Sequence, residues 1–431
     1  MIQKSIGVDR NGKMIFAGAE VSALAEKYGT PFYAMDEQVL RENMRTYVTA
    51  MKKAFGAEAL PTYASKALCF KELYRILNDE GMGADVVSVG ELYTAYKAGF
   101  PMEKVFFHGT YKSQAEIELA LDCGVGFFMA DGEYDIENIN RIAEEKGKRA
   151  NVIIRLTPGI DPHTFAAVNT GKLDCQFGTP IETGQAWELV ERVLKLPNVH
   201  IAGFHCHVGS QIFGFEPFSL AVDKMTDFMA RVKAEFGYEA EYLDLGGGFG
   251  VRYVEKDAYV DIAACIERLG GILDMACAER GIKKPIVLME PGRSIVADAG
   301  ITVYRAGAVK EVRGHRTYVV VDGGMTDNPR YALYGAEYTV YHAGRMNDAA
   351  DRQYTIAGRC CESGALLQEN VMLPQVMPGD LIAFGVTGAY NYSMASNYNR
   401  VPRLPVVMLR GGEDRLAVRR ETYEDIIKLD I

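Results

Sequence analysis

The sequence is short of everything that would tie it to a membrane, to nucleic acid or to a structural metal. No apolar run approaches the ~18 residues needed to span a bilayer, and the opening MIQKSIGVDRNGKM lacks the apolar core of a secretory signal. Both absences point to a cytoplasmic protein without a membrane partner. Basic charge is also in deficit: 47 Lys and Arg against 57 Asp and Glu leave a net charge of −10, which excludes nucleic acid as the main partner. The eight cysteines show no C-x-x-C spacing, so neither a zinc ribbon nor a redox dithiol is indicated, and free thiols in a reducing compartment are expected. His205, Cys206 and His207 crowd together, but an extended segment puts only alternate residues on one face, and further ligands would have to come from afar; no metal is expected. Internal repeats and low-complexity tracts are absent as well.

What is present is length and rhythm. With 431 residues, 48% of them hydrophobic and 24% charged, the chain has the balance of a globular protein of two or three domains. Short apolar runs alternate with helical patterns from about residue 31 to 290. After a lead-in strand at 31–36, eight strands are predicted at 62–68, 84–89, 105–109, 126–130, 151–158, 201–209, 242–247 and 286–291. Helical periodicity fills the stretches between, as at 114–122, 132–146 and 218–236. Eight such units over roughly 250 residues predict an α/β fold, a (β/α)8 TIM barrel over 31–290, with an open doubly wound sheet as the competitor. Past residue 295 the pattern turns to strands and turns, in ITVYRAGAVKEV, RTYVVVDGG and PGDLIAF. It predicts a C-terminal β domain, sandwich-like or barrel-like, made of 291–431 and joined by the N-terminal hairpin of 1–30.

Functional residues of such barrels stand at the C-terminal ends of the strands. The first strand ends Tyr63-Ala64-Ser65-Lys66, and a lysine at a partly desolvated mouth is a candidate Schiff-base amine, although most lysines at strand ends are merely solvated. The seventh ends in Gly246-Gly247-Gly248-Phe249-Gly250 and the eighth in Glu290-Pro291-Gly292-Arg293-Ser294. Glycines there let backbone N–H groups approach an anion, and the loops after strands 7 and 8 often hold phosphate. A plain tight turn is the alternative; the G-x-G-x-x-G spacing of a dinucleotide site is missing. A carboxylate at Glu290 beside a phosphate loop makes sense if the ligand also carries a cation, as a pyridinium nitrogen does. Lysine, phosphate donors and an acid for the ring nitrogen together describe a site for pyridoxal 5'-phosphate.

With these residues in place the sequence resembles the bacterial diaminopimelate decarboxylases, in the alanine-racemase-like (fold type III) group of pyridoxal-phosphate enzymes. The likeness runs nearly end to end, through YASKA around Lys66, HVGSQ from His207, GGGFG, EPGRS, the Cys361-Glu362-Ser363 triplet and TGAYNYSMASNYN from Thr387. It implies conversion of meso-2,6-diaminopimelate to L-lysine and carbon dioxide. Lys66 would be the Schiff-base lysine and His207 would stack on the cofactor ring, a role that displaces the plain reading of a core histidine. Ser210, Gly247, Gly248, Gly292 and Arg293 would cradle the phosphate with Tyr390 nearby, and Glu290 would face the ring nitrogen. Arg293, Arg330 and Tyr334 would bind the distal carboxylate, with Tyr390 also near the substrate, and Glu362 would take the distal ammonium. Cys361 would donate a proton from the second subunit of a homodimer with shared active sites, while Cys360 reads as packing. Three positions depart from the pattern: Ala365, where an acid is expected, and Phe165 and Gln176, where relatives more often carry histidine and lysine.

Overall fold

The computed structural model of the chain describes residues 1–161 and 174–431. Eight parallel strands close on themselves: β1 (Leu60–Ala64), β2 (Gly83–Val86), β3 (Val105–Phe107), β4 (Phe127–Ala130), β5 (Ala150–Thr157), β6 (Val199–His205), β7 (Tyr242–Asp244) and β8 (Ile286–Met289). Each pairs with the next, and β8 returns to β1 through Leu288 opposite Leu60, so no edge is left open. The eight strands expected from the sequence are these eight, and the open doubly wound sheet is excluded. Their runs are almost wholly buried because helices cover the outside and side chains fill the inside.

Leu60, Phe106, Phe127, Met129, Ile153, Ala202, Tyr242 and Leu288, drawn from seven strands, pack as one cluster; only inward-facing side chains could meet that way. Phe106 and Phe127 stack at 4.8 Å between ring centroids. Side chains two residues further along a strand face the same way. Phe106 is therefore followed by His108, Tyr242 by Asp244 and Leu288 by Glu290, so polar groups line up above an apolar floor. On β6 the register slips between Ile201 and Gly203, a bulge that resets the phase and leaves His205 to end the strand.

The helices between strands begin and end on local signals. Ser113 accepts from the Glu116 N–H and Glu116 from the Ser113 N–H, a capping box opening Gln114–Cys123, and Gly124 in the left-handed region closes it. Just before it, buried Lys112 donates to Gly109 O (2.9 Å), Met129 O (2.9 Å) and Asp135 Oδ2 (2.7 Å), tying the loop that carries His108 to the end of β4.

The barrel unit comprises Met44–Gly250 and Tyr259–Ser294; a second unit comprises Met1–Asn43, Val251–Ala258 and Ile295–Ile431. The second is β-rich. Its long strand Gly300–Val312 pairs through its first half with Phe32–Asp36 and Leu381–Gly385, and beyond a register shift at Ala306/Ala308 with Arg316–Val321. The expected lead-in strand of the barrel thus belongs to this sheet, where 32–36 also pairs with Val406–Arg410. The segment 251–258 joins it too, because Tyr253 packs edge-on against Tyr338 and its carbonyl accepts from Thr339 Oγ1. The N-terminal hairpin, with Ile6 opposite Phe16, forms a small three-stranded sheet with Ala19–Glu20. It joins the large sheet by packing rather than by ladder bonds, Met14 and Phe16 sharing a core with Phe32, Ile301 and Val407.

Asp327 is the buried hub of this unit. Its carboxylate accepts from Tyr304 OH (2.6 Å), Gly324 N–H (2.9 Å) and Thr326 OH (3.0 Å), while Tyr33 OH donates to its carbonyl. Burial nevertheless pushes the carboxyl up to about 6 from 3.8. The folded chain holds this proton more tightly than the unfolded one. Its contribution is therefore complete below pH 3.8 and is lost as pH rises through about 6, on the order of 3 kcal/mol. We expect the stability advantage of the wild type over Asp327→Asn, read from urea denaturation, to shrink across this window; a gap constant with pH would show an ordinarily ionised Asp327.

Candidate active site

Lys66 stands in a short 3-10 turn, Ser65–Ala67, directly after β1. The turn is held on both sides: Ala64 N–H donates to Pro291 O, Leu68 N–H to Ser65 O, and buried Ser65 Oγ meets Tyr74 OH at 2.8 Å. Ser65 and Ala67 are buried while the lysine between them is exposed. Its charge nonetheless reaches Asp85 and His207, pulling the pKa of each downward.

Opposite, three loops come together at glycines. A Cβ on Gly247 would sit 2.1 Å from Glu290 O, one on Gly248 (φ +119°) 2.2 Å from Gly209 O, and one on Gly292 3.0 Å from Ala64 Cβ. Only glycine allows the backbones after β6, β7 and β8 to approach this closely. Ser210 Oγ lies 3.2 Å from Arg293 Nη2, and both belong to this cradle. His207 is half-buried, and its Nδ1 accepts from Gly247 N–H at 3.2 Å, which leaves Nε2 as the protonated nitrogen. Burial, reinforced by Lys66, holds its pKa far below the ordinary value, so the ring is neutral.

Glu290 lies at the centre and is buried. His108 Nε2 is 2.8 Å from its Oε1 and His205 Nε2 is 3.2 Å from its Oε2, with the two imidazoles edge to face. Burial alone would raise the carboxyl; the imidazoles facing both oxygens more than offset this and hold it well below its usual range. Burial drives His205 down to about 4 against the pull of Glu290, so it is neutral. Asp85 is pushed up to about 6, chiefly by burial with His108 and Lys66 opposing. Burial and the Glu290 charge push Asp244 well above the carboxylate range. Glu290 is thus a localised anion among groups that resist charging. Its Oε1 has no well-aligned hydrogen-bond partner among the described residues. An orphaned carboxylate oxygen beside a glycine cradle and a lysine fits a cofactor carrying a cationic ring nitrogen, a phosphate and an aldehyde.

The His205-Cys206-His207 run does not converge on one point. His205 faces Glu290, His207 faces Gly247, and burial pushes the Cys206 thiol up, away from the thiolate a metal requires.

In the β unit Arg330 is buried, bonded to Tyr338 OH at 2.9 Å and set over the Tyr253 ring at 5.3 Å. Asn391 fixes Tyr338 from the other side and bonds Thr387 O at 3.0 Å. Among the described residues no carboxylate pairs with Arg330, and a buried guanidinium left so calls for an anion. Tyr334 is exposed on the same short helix, Arg330–Tyr334. Cys361 and Glu362 lie exposed in a loop, with Asn399 Oδ1 accepting from Cys361 N–H and Glu362 Oε1 from Gly364 N–H. Tyr390 has a positive φ of 59°. Ala365 is buried, where an acid would lose its hydration; Gln176 is exposed, and Phe165 lies outside the described residues.

Of the expected residues, Lys66, His207, Ser210, Gly247, Gly248, Glu290, Gly292 and Arg293 stand in the barrel unit, and Arg330, Tyr334, Cys361, Glu362 and Tyr390 in the β unit. Sequence reasoning passed over Asp85, His108 and Asp244, and considered His205 only as a metal ligand. The signal for His108 and Asp244 lies in strand phase, two residues beyond the floor residues Phe106 and Tyr242, whereas the strand of Asp85 adds no side chain to that floor and His205 is brought into place by the bulge.

The chain matches the family described as "Pyridoxal-dependent decarboxylase, pyridoxal binding domain" over residues 41–297. The diaminopimelate decarboxylase of Bacillus subtilis (strain 168) is 43% identical over 98% of this chain and 96% of its own length. That of Halalkalibacterium halodurans is 40% identical over 98% and 96%. The crystal structure of diaminopimelate decarboxylase from M. jannaschii in complex with L-lysine superposes with a TM-score of 0.92 at 33% identity, covering 100% of this chain and 98% of that one.

The close approach at Gly248 has a direct consequence. Gly248→Ala should lower barrel stability in urea by about 2–4 kcal/mol and weaken retention of pyridoxal phosphate. Gly271→Ala, in helix Ile262–Arg280 where an added Cβ meets nothing within 4 Å, should be neutral or slightly stabilising.

Proposed function

This chain belongs to the pyridoxal-dependent decarboxylases, in the diaminopimelate decarboxylase family, and on that footing we propose that it converts meso-2,6-diaminopimelate to L-lysine and carbon dioxide. The observation that carries the substrate is Arg330, a buried guanidinium among tyrosines with no carboxylate of its own. A second acidic end on the substrate answers it through two parallel hydrogen bonds.

Lys66 would supply the amine that anchors the cofactor aldehyde. Ser210, Gly247, Gly248, Gly292 and Arg293, with Tyr390, would hold the phosphate, and neutral His207 would lie against the ring. Bound pyridoxal phosphate supplies an electron sink for the pair left behind when carbon dioxide departs. Glu290, anionic and buried, would keep the ring nitrogen protonated. Arg293, Arg330 and Tyr334 bind the distal carboxylate and Glu362 the distal ammonium. Cys361 delivers the proton that replaces the lost carboxylate. Its thiol is exposed, as a group offered to a second copy in a homodimer must be. All eight cysteines are free, which agrees with a cytoplasmic location. No helix among the described residues is long and apolar enough to cross a membrane.

With pyridoxal phosphate added, meso-diaminopimelate should yield carbon dioxide and L-lysine, while ornithine, arginine and L,L-diaminopimelate should not. Turnover of another substrate alone would overturn the substrate and keep the cofactor. Lys66→Ala should abolish both turnover and the visible absorption band of the bound cofactor. Arg330→Ala should raise KM roughly 100-fold, about 3 kcal/mol, with the fold intact by circular dichroism.

A further inference from the structure

We infer that His108 and His205 are positioning residues for Glu290: each imidazole sets a ring nitrogen against one carboxylate oxygen, and together they confine the carboxylate across the barrel mouth. This rests on the reading above that Glu290 meets the ring nitrogen of the cofactor.

Among the described residues no lysine or arginine pairs with Glu290, although it is buried. A carboxylate so placed ordinarily takes up a proton. Its surroundings make matters worse: Asp85 and Asp244 add carboxyl groups at the same level, and Cys206 adds a buried thiol. The cations acting on this cluster, Lys66 and Arg155, bear on Asp85, His205 and His207 rather than bonding to Glu290. What does contact Glu290 is a pair of imidazole nitrogens, at 2.8 Å on Oε1 and 3.2 Å on Oε2.

The two rings come from opposite parts of the barrel, His108 after β3 and His205 at the end of β6, and meet edge to face at 5.4 Å between centroids and 82°. With a hydrogen bond from His205 on Oε2 and the His108 ring nitrogen set against Oε1, the carboxylate is confined between the two rings. The clamp is itself braced. Lys112 ties down the His108 loop through Gly109 O, and Asp85 Oδ1 lies 3.6 Å from His108 Nε2. His205, driven toward its neutral form by burial, donates to Oε2 without the fixed positive charge that an arginine would set against Glu290.

Infrared difference spectroscopy on the cofactor-free protein tests the clamp alone. His205→Leu should show a protonated buried carboxyl band that disappears when Glu290→Gln is added, and His205→Asn, which keeps a donor, should not show it. Titration with pyridoxal phosphate, followed by absorbance, then tests the link to the cofactor. His205→Leu should weaken binding at least 10-fold, His205→Asn should restore most of it, and His205→Leu in a Glu290→Gln background should cost no further affinity. His108→Leu and His108→Asn repeat the series from the other oxygen, so one variant that fails to fold does not block the test. An unchanged carboxylate spectrum in both leucine variants, or an undiminished loss of affinity in the Glu290→Gln background, would overturn the inference. If Glu290→Gln alone leaves affinity and spectrum untouched while the infrared result holds, the clamp stands and the cofactor role of Glu290 falls.

Discussion

One charge in a place that resists charge governs this molecule. Glu290 is buried at the mouth of a closed barrel, and keeping it ionised there requires imidazole nitrogens against both oxygens and neutral neighbours around it. The barrel meets that requirement by geometry. Closure brings the ends of non-adjacent strands within reach of one another, and the two-residue period raises His108, Asp244 and Glu290 above the apolar floor of Phe106, Tyr242 and Leu288. The glycines answer a related constraint. A backbone that passes so close to Glu290 O and Gly209 O has no room for a side chain.

The β unit solves the mirror-image problem. Arg330 is a buried cation set among aromatic rings and a phenol, interactions that stabilise a guanidinium without neutralising it. Each unit thus carries a buried charge whose partner is not a fixed group of opposite sign among the described residues.

Much of this was legible in the sequence because it is local. Eight apolar runs with turn residues between them mark the barrel strands, and Lys66, the Gly246–Gly250 run and the Glu290–Ser294 motif stand where those runs end. What escaped was long-range. Residues 31–36 read as a lead-in strand at the start of the barrel domain, yet the ladder partners of 32–36, residues 300–303 and 406–409, come more than 260 positions later. The segment 251–258 looks like a barrel loop until Tyr253 is seen against Tyr338. His108 and Asp85 carry no motif, and His205 was drawn toward a metal reading by its neighbours Cys206 and His207. Their role lies in a convergence on Glu290 that strand count alone does not reveal, and on β6 the bulge between Ile201 and Gly203 hides even the phase that places His205.

The most direct test of the account is the protonation state of the ring nitrogen of bound pyridoxal phosphate, read by nitrogen-15 NMR on cofactor labelled at that atom. A buried, ionised Glu290 predicts a ring nitrogen that stays protonated from about pH 6 to about pH 9 in the wild type and loses its proton in Glu290→Gln. A neutral ring nitrogen in the wild-type protein would contradict the central claim.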